Sequence, residues 1–174
     1  MRELILGGAR SGKSAYAERL ALATGLDVTY LATAQARDKE MAVRIEHHRQ
    51  RRPGDWQLVE APLELAAALQ RYAATDRCLL VDCLTLWLSN LLAGEQPDEV
   101  ALVRRRNEFL ELLPALPGRV ILVSNEVGLG IVPLGELSRR FCDESGRLHQ
   151  AVAERCERVT FVTAGLPMTL KREK

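Results

Sequence analysis

The chain has 174 residues, of which 47% are hydrophobic and 27% charged, as in an ordinary globular protein with an apolar core. Lys plus Arg total 24 and Asp plus Glu total 23, so the net charge of +1 gives no indication of a nucleic-acid or membrane-surface partner. The first residues do not resemble a signal peptide, and the apolar runs are too short for a membrane span. We therefore expect one cytoplasmic domain covering residues 1–174.

Short aliphatic and β-branched runs alternate with amphipathic stretches along the chain. In chain order they predict strand Glu3–Leu6, helix Ser14–Thr24, strand Val28–Ala32, helix Asp38–Gln50, a short strand at Gln57–Glu60, helix Leu63–Ala74, strand Cys78–Val81, helix Leu84–Ala93, helix Asp98–Leu113, strand Val120–Val123, a helix over about Gly146–Cys156 and strand Val159–Val162. Near-continuous apolar strands are typical of a sheet that is covered on both faces. The alternation predicts a three-layer α/β fold with a mostly parallel central sheet.

The strongest motif lies between the first strand and the first helix. Its residues fit the phosphate-binding pattern G-x-x-x-x-G-K-[ST] and are Gly7, Gly8, Ala9, Arg10, Ser11, Gly12, Lys13 and Ser14. The glycines permit a tight loop whose backbone amides point at phosphate oxygens, and the helix that follows adds its positive dipole end. We expect Lys13 to bridge the β- and γ-phosphates and the Ser14 hydroxyl to ligate Mg²⁺. The motif predicts a nucleoside triphosphate site.

An acidic residue ends the strand predicted at Cys78–Val81. Asp82 is expected at the carboxyl end of that strand, which is the edge where open α/β sheets bind ligands. P-loop proteins commonly hold Mg²⁺ through such a carboxylate, so Asp82 is predicted on the metal side of the site, although an Asp that opens a turn has the same pattern.

Two adjacent histidines, His47 and His48, lie in the helix predicted at Asp38–Gln50. Histidines on an amphipathic helix are usually surface or half-buried side chains. A neutral imidazole is also a competent nucleophile near pH 7, and the nearby Arg44, Arg49, Arg51 and Arg52 could neutralise phosphate charge. The same arginines would suit the lid of a small-molecule kinase, so these interpretations stay open on residue chemistry alone.

The four cysteines form no C-x-x-C pair, and we expect reduced, mostly buried thiols rather than a zinc site. The strand predicted at Val120–Val123 is followed by Ser124, Asn125, Glu126 and Val127, which lack the N-K-x-D element of a GTPase switch. An assembly ATPase acting on a protein partner is a weaker alternative, since the chain shows no extended interaction segment.

Several motifs recur in the order found in one known family. They are GGARSGKS at Gly7–Ser14, the stretch Glu40-Met41-Ala42-x-Arg44-Ile45-x-His47-His48, the block Asn125-Glu126-Val127-Gly128-x-Gly130-Ile131-Val132-Pro133, and Ser138-Arg139-x-Phe141 with Asp143, Gly146 and Gln150. Together they resemble the bifunctional adenosylcobinamide kinase/adenosylcobinamide-phosphate guanylyltransferase family of cobalamin assembly. The similarity runs from Leu4 to about Gly165. Cys142 and His149 depart from the family pattern, which has Arg and Asn there.

The resemblance implies a RecA-like P-loop NTPase fold and two activities. A GTP- or ATP-dependent kinase would phosphorylate adenosylcobinamide, and GMP from GTP would then be transferred to that phosphate through a guanylylated histidine. The resemblance places this histidine at His47, with His48 open, and includes Lys13 among the catalytic residues. It implies further nucleotide contacts at Thr33, Arg49, Gln50, Arg51, Arg52, Glu60 and Asp82. It also implies Mg²⁺, a corrinoid substrate and a homo-oligomer, at least in one case a trimer.

Overall fold

The computed structural model describes residues 1–35, 53–93 and 98–172, and the structural statements that follow concern these residues. The strands are β1 (Arg2–Gly7), β2 (Asp27–Ala32), β3 (Gln57–Glu60), β4 (Arg77–Asp82), β5 (Arg119–Asn125), β6 (Arg158–Thr163) and β7 (Leu166–Arg172). The helices are α1 (Lys13–Ala23), α2 (Leu65–Tyr72), α3 (Leu84–Leu91), α4 (Glu99–Leu112), which continues into a 3₁₀ turn at Leu113–Ala115, and α5 (Glu136–Arg155).

The strands form one seven-stranded sheet in the order β3-β2-β4-β5-β1-β6-β7. Every neighbouring pair from β3 to β6 is parallel, and only β7 runs antiparallel, beside β6. The prediction of a mostly parallel sheet is confirmed. Because parallel strands share one direction, the carboxyl ends of β1, β2, β4 and β5 lie at the same edge of the sheet.

Helices cover both faces of the sheet, which explains the continuous apolar strands. Along β1, Leu4 and Leu6 pack into one core cluster with residues of α2 to α5, whereas Ile5 packs into another with Ala17 and Ala21 of α1. Successive side chains of a strand point to opposite faces, so a strand in the middle layer must be apolar on both. Within the described residues, no helix is both long and apolar enough to cross a bilayer.

Two elements differ from the sequence prediction. Helix α5 begins at Glu136, about ten residues before the predicted start near Gly146. Gly146 lies inside the helix at a position where a Cβ would meet nothing within 4 Å, and the helix is anchored by the buried Leu148 and Val152. A glycine costs a helix only about 1 kcal/mol relative to alanine, so it does not end one that packs on a core.

Strand β7 was not predicted. Ala164 and Gly165, with φ of 50° and 79°, form a two-residue turn that returns the chain beside β6. Positive φ at both central residues is typical of a tight β-hairpin. The helix predicted at Asp38–Gln50 lies entirely within 36–52, outside the described residues.

Candidate active site

The loop between β1 and α1 has a backbone that depends on its glycines. A Cβ at Gly7 would lie 2.4 Å from the Val162 carbonyl oxygen and 2.6 Å from Ser11 Oγ, so the chain leaves β1 through a gap that only glycine fits. Gly12 has φ of 92° and Arg10 has φ of 56°, which gives the loop two left-handed residues. Alternation of left-handed with ordinary backbone is the geometry that turns successive amides toward one anion.

The N-terminus of α1 offers unpaired donors to such an anion. The first amides of any α-helix have no intrahelical acceptor, and here the cap residue Gly12 supplies no side-chain hydrogen bond. The first turn also contains no acidic residue, so no carboxylate of the turn itself opposes the positive end of the helix dipole. The buried Ser11 hydroxyl has no hydrogen-bond partner among the described residues. These groups together fit a phosphate.

Lys13 is buried against the loop, where its Nζ donates to the Gly8 carbonyl oxygen at 3.2 Å. Burial lowers the pKa of Lys13 from its ordinary value, and the negative charge of Asp82 partly opposes this shift. Among the described residues the ammonium has one neutral hydrogen-bond acceptor, and a polyphosphate would satisfy it far better than the loop carbonyl does.

Asp82 ends β4 at the same edge as the loop, as predicted. The Tyr30 hydroxyl donates to Asp82 Oδ2 at 3.1 Å and fixes the carboxylate, which remains only partly buried. The carboxyl end of β4 lies at the same edge of the sheet as the loop, and the negative charge of Asp82 raises the pKa of Lys13. Asp82 and the half-exposed Ser14 offer oxygen donors, and Mg²⁺ prefers such donors together with water and phosphate oxygens. The side chains present therefore fit a magnesium ion.

The loop is supported from both sides of β1. The Glu126 amide donates to the Gly7 carbonyl oxygen at 3.1 Å, and the Gly165 amide donates to the Ser11 carbonyl oxygen at 2.8 Å. A Cβ at Gly12 would approach Gly165 Cα at 3.1 Å, so the β6–β7 turn packs directly on the loop. Sequence reasoning did not find the contributions of Gly165 and Tyr30, because both depend on strand order. The glycine at 165, in the two-residue turn Ala164–Gly165, was the one sequence feature that could have indicated the hairpin.

Thr33 and Glu60, two further predicted contacts, lie at the same edge but away from the loop. The Thr33 hydroxyl is fully buried, donates to the Cys83 carbonyl oxygen at 2.7 Å and accepts from the Cys83 amide at 2.9 Å. That hydroxyl is therefore already engaged in joining the ends of β2 and β4. Glu60 is exposed at the end of β3, four strand spacings or about 19 Å across the sheet from β1. Nucleotide contacts at Thr33 and Glu60 stay predictions.

The predicted nucleophiles His47 and His48, and the predicted contacts Arg49, Gln50, Arg51 and Arg52, lie outside the described residues. Their segment follows Gln35, just beyond the end of β2. β2 ends at the same edge as the phosphate-binding loop, three strand spacings or about 14 Å from β1. β2, the last described strand before these residues, therefore ends at the edge of the sheet that carries the site.

A chain of polar side chains lies behind this edge between β5, α3 and α5. Glu126 Oε1 accepts from the Gly128 amide at 2.7 Å, and Oε2 lies 3.5 Å from His149 Nδ1. His149 Nε2 contacts Ser124 Oγ at 2.8 Å, and Ser124 Oγ contacts Thr85 Oγ1 at 3.0 Å. Burial lowers the pKa of His149, and the Glu126 charge partly opposes this shift. The sequence analysis identified the motif that contains Glu126, but it did not predict the contact between Glu126 and His149.

Comparisons with known proteins agree with this geometry. The family described as cobinamide kinase / cobinamide phosphate guanyltransferase matches residues 3–170. The chain is 65% identical over 173 residues to the bifunctional adenosylcobalamin biosynthesis protein CobP of Pseudomonas aeruginosa, covering 99% of each. It is 38% identical over 182 residues to the bifunctional adenosylcobalamin biosynthesis protein CobU of Salmonella typhimurium, covering 98% of this chain and all of that protein.

Solved structures with low sequence identity share the fold. The RadB recombinase superposes with a TM-score of 0.50 at 14% identity, over 92% of this chain and 73% of that one. The type III secretion ATPase EscN of enteropathogenic E. coli superposes with a TM-score of 0.56 at 14% identity, over 94% of this chain and 42% of that one. The expected fold class, a three-layer RecA-like P-loop NTPase with a mostly parallel sheet, is confirmed.

Proposed function

The chain belongs to the cobinamide kinase / cobinamide phosphate guanyltransferase family and is an enzyme with both activities; from this we propose the following reaction sequence for it. GTP or ATP first phosphorylates a hydroxyl of adenosylcobinamide. GMP from a second GTP is then carried on a histidine to the new phosphate, which gives adenosylcobinamide-GDP and pyrophosphate. One observation carries the proposal: the phosphate-binding loop brings together hydrogen-bond donors that an anion would satisfy. They include Lys13 and the first amides of α1.

In the kinase step, the acceptor hydroxyl oxygen forms a bond to the γ-phosphorus, and the bond from that phosphorus to the β–γ bridging oxygen breaks. The nucleoside diphosphate leaves, and the hydroxyl loses its proton. Lys13 and the amides of the phosphate-binding loop hold the β- and γ-phosphates in place, so their contribution is positioning and charge stabilisation. Ser14 and Asp82 would hold Mg²⁺, whose charge offsets the negative charge of the phosphates.

In the guanylyl step, an imidazole nitrogen of His47, or of its neighbour His48, bonds to the α-phosphorus of GTP and pyrophosphate leaves. A phosphate oxygen of adenosylcobinamide phosphate then attacks that phosphorus, and the histidine is released. Division into two displacements replaces one difficult transfer by two easier ones. The arginines at 49, 51 and 52 would neutralise the departing pyrophosphate. The start of their segment at the carboxyl edge of the sheet supports this role.

The proposal includes a homo-oligomer, a trimer by family resemblance, in a cytoplasmic setting. The four cysteines are free, which fits a reducing compartment. Apolar side chains between β5 and α5 are exposed in the isolated chain, including Ile131 and Leu134 at 98% each. Exposed apolar segments of this kind are typical of interfaces. Thr33 and Glu60 are proposed nucleotide contacts away from the loop, at the β2 and β3 ends.

Anaerobic incubation of the protein with adenosylcobinamide, GTP and Mg²⁺, followed by mass spectrometry of the corrinoid, tests the proposal. We expect adenosylcobinamide phosphate to form first and its GDP adduct to follow, with pyrophosphate released. Lys13→Ala should form neither product, because the loop loses its cation. The phosphate alone, with GTP in excess, would instead indicate a single-activity kinase. An unmodified corrinoid would contradict the proposal altogether.

A further inference from the structure

The polar chain formed by Thr85, Ser124, Glu126 and His149 takes no part in the binding roles described above. It is nevertheless tied to the phosphate-binding loop, because the amide of Glu126 donates to the Gly7 carbonyl oxygen at 3.1 Å. β5 is the immediate neighbour of β1, whereas β4 with Asp82 is two strands away and β3 with Glu60 is four. Of the carboxylates that follow these strand ends, Glu126 is therefore attached closest to the loop.

The hydrogen-bond pattern of the chain can be worked out from one end. The Asn125 amide donates to Thr85 Oγ1 at 2.6 Å, so this oxygen is already an acceptor. At the other end, the carboxylate of Glu126 can only accept, and it faces His149 Nδ1. A neutral imidazole with its proton on Nδ1, facing this carboxylate, accepts at Nε2 from the Ser124 hydroxyl, which in turn accepts from Thr85. Each of the two hydroxyl groups then donates one hydrogen bond, and all the hydrogen bonds point from Thr85 toward Glu126.

Within this polar chain, the contact between His149 and Glu126 is longer than a good hydrogen bond. Nδ1 of His149 is buried and has no hydrogen-bond partner among the described residues, since Glu126 Oε2 at 3.5 Å is beyond a good hydrogen bond. A buried unpaired polar group is destabilising, so a chain with a purely structural role would be expected to close this gap. Catalytic contacts are often long without substrate and tighten when it binds. The Glu126 side chain is 22% exposed, so one side of the carboxylate can reach a ligand.

Only one of the two half-reactions needs a proton acceptor at the corrinoid. The kinase step deprotonates an alcohol, whereas the acceptor in guanylyl transfer is a phosphate that already carries negative charge. Resting on the proposed function, we infer that Glu126 is the general base that takes the hydroxyl proton in the kinase step. His149 acts through it as a positioning residue, which donates from Nδ1 to Oε2 and keeps the carboxylate aimed at the acceptor.

The test measures the two half-reactions separately, with adenosylcobinamide or adenosylcobinamide phosphate as the acceptor. Glu126→Gln keeps the size of the side chain and removes its basicity. Its kcat for the kinase step should fall about 10²–10⁴-fold, the usual contribution of general base catalysis, with the KM for GTP changed little. Guanylyl transfer to the supplied phosphate should fall less than about tenfold. Glu136→Gln removes the same charge at an exposed position of α5 and should leave both rates unchanged.

Two substitutions of His149 separate its two ring nitrogens. His149→Asn retains a donor near the Nδ1 position, facing Glu126, whereas His149→Gln retains a group near the Nε2 position, facing Ser124. We expect the kinase kcat of His149→Asn to exceed that of His149→Gln by about tenfold or more, because a misplacement of about 1 Å can cost about a hundredfold. Equal thermal stability of the two variants would exclude a merely structural difference.

The outcomes distinguish this inference from the proposed function. A wild-type protein that makes no phosphate ester overturns both. A wild-type protein that makes it, with Glu126→Gln equally active or equally impaired in both half-reactions, overturns the assignment of the general base alone. Equal kinase rates in His149→Asn and His149→Gln overturn the positioning role, whether or not Glu126→Gln folds well enough to assay.

Discussion

At the scale of single residues, the phosphate-binding loop contains two buried polar groups that a triphosphate would satisfy. Ser11 Oγ has no hydrogen-bond partner among the described residues, and the buried ammonium of Lys13 donates to the Gly8 carbonyl oxygen. On the opposite edge of the sheet, by contrast, the buried carboxylate of Glu3 pairs with Arg119 and accepts from Thr160 Oγ1. Buried polar groups are normally paired, and a polyphosphate would supply acceptors for both groups of the loop.

His149 should make folding stability depend on pH. Burial lowers its pKa below the ordinary value of 6.5, with Glu126 partly opposing, so near and below that pH the unfolded chain binds more protons than the folded one. The unfolding free energy should therefore fall as the pH falls through about 6.5, by at most about 1.4 kcal/mol per pH unit for one proton.

The matched measurement compares urea unfolding of the wild type and His149→Asn at about pH 7.5 and about pH 5.5, which bracket the histidine titration. The stability of the wild type relative to the variant should be smaller at the lower pH. A difference that stays constant, or grows on acidification, would mean that His149 is not held neutral by burial.

At the scale of elements, the phosphate-binding loop is rigidly held although it is exposed in part. Glu126 after β5 and Gly165 in the β6–β7 turn each donate an amide hydrogen bond to a loop carbonyl, at Gly7 and Ser11. Strand β7 is largely exposed, so its contribution is to form the hairpin that places Gly165 on the loop. Two neighbouring elements thus preorganise the loop before any nucleotide arrives.

Two adjacent glycines should differ sharply on substitution. Gly7→Ala would place a Cβ 2.4 Å from a backbone oxygen, whereas a Cβ at Gly8 would meet nothing within 4 Å. We expect Gly7→Ala to lower the unfolding free energy by about 1–3 kcal/mol, the usual cost of overpacking. Gly8→Ala should stay within about 0.5 kcal/mol of the wild type. Urea midpoints measure both, and equal midpoints would show that the gap at Gly7 is not tight.

The sequence predicted the strands that are buried on both faces and the short strand β3, but it missed two exposed stretches. β4 was predicted at Cys78–Val81 and found at Arg77–Asp82, because its apolar run is continuous. The first half of α5 is mostly exposed or half-buried and is followed by Gly146, and β7 lacks a buried face, so neither showed a clear period. The phosphate-binding loop and Asp82 follow from local motifs. The contacts of Tyr30, Gly165 and His149 arise from strand order and helix packing, which local patterns do not contain.

At the scale of the whole molecule, the order of the strands arranges the proposed chemistry along one edge. The phosphate-binding loop follows β1, the carboxylate of Glu126 follows the adjacent β5, Asp82 ends β4, and the segment with His47 and His48 leaves after β2. The proposed general base thus follows the strand next to β1, and β2, the strand that precedes the proposed nucleophile in the chain, is three strands from β1. This order agrees with the proposal that separate groups attack the γ- and α-phosphorus.

The exposed apolar residues between β5 and α5 should mediate self-association. Ile131→Asp places a charge in this segment and should convert the proposed oligomer to monomers, since an unpaired charge is costly to bury. Leu22→Asp, at an exposed apolar position on α1, is the matched control and should leave the assembly intact. Light scattering coupled to size exclusion gives the mass, and an oligomer that survives Ile131→Asp would exclude this segment from the interface.

Covalent capture of the nucleotide tests the central claim most directly. The protein is incubated with Mg²⁺ and GTP labelled at the α-phosphate, or at the γ-phosphate as a control, and label is measured after denaturation. The α-label should remain on the protein, stable to base and labile to acid, and should be lost in Lys13→Ala and in His47→Asn but not in His48→Asn; loss in His48→Asn alone would move the nucleophile by one residue. The γ-label should not remain. Absence of α-label from the wild type, or its persistence when both histidines are replaced, would contradict the account.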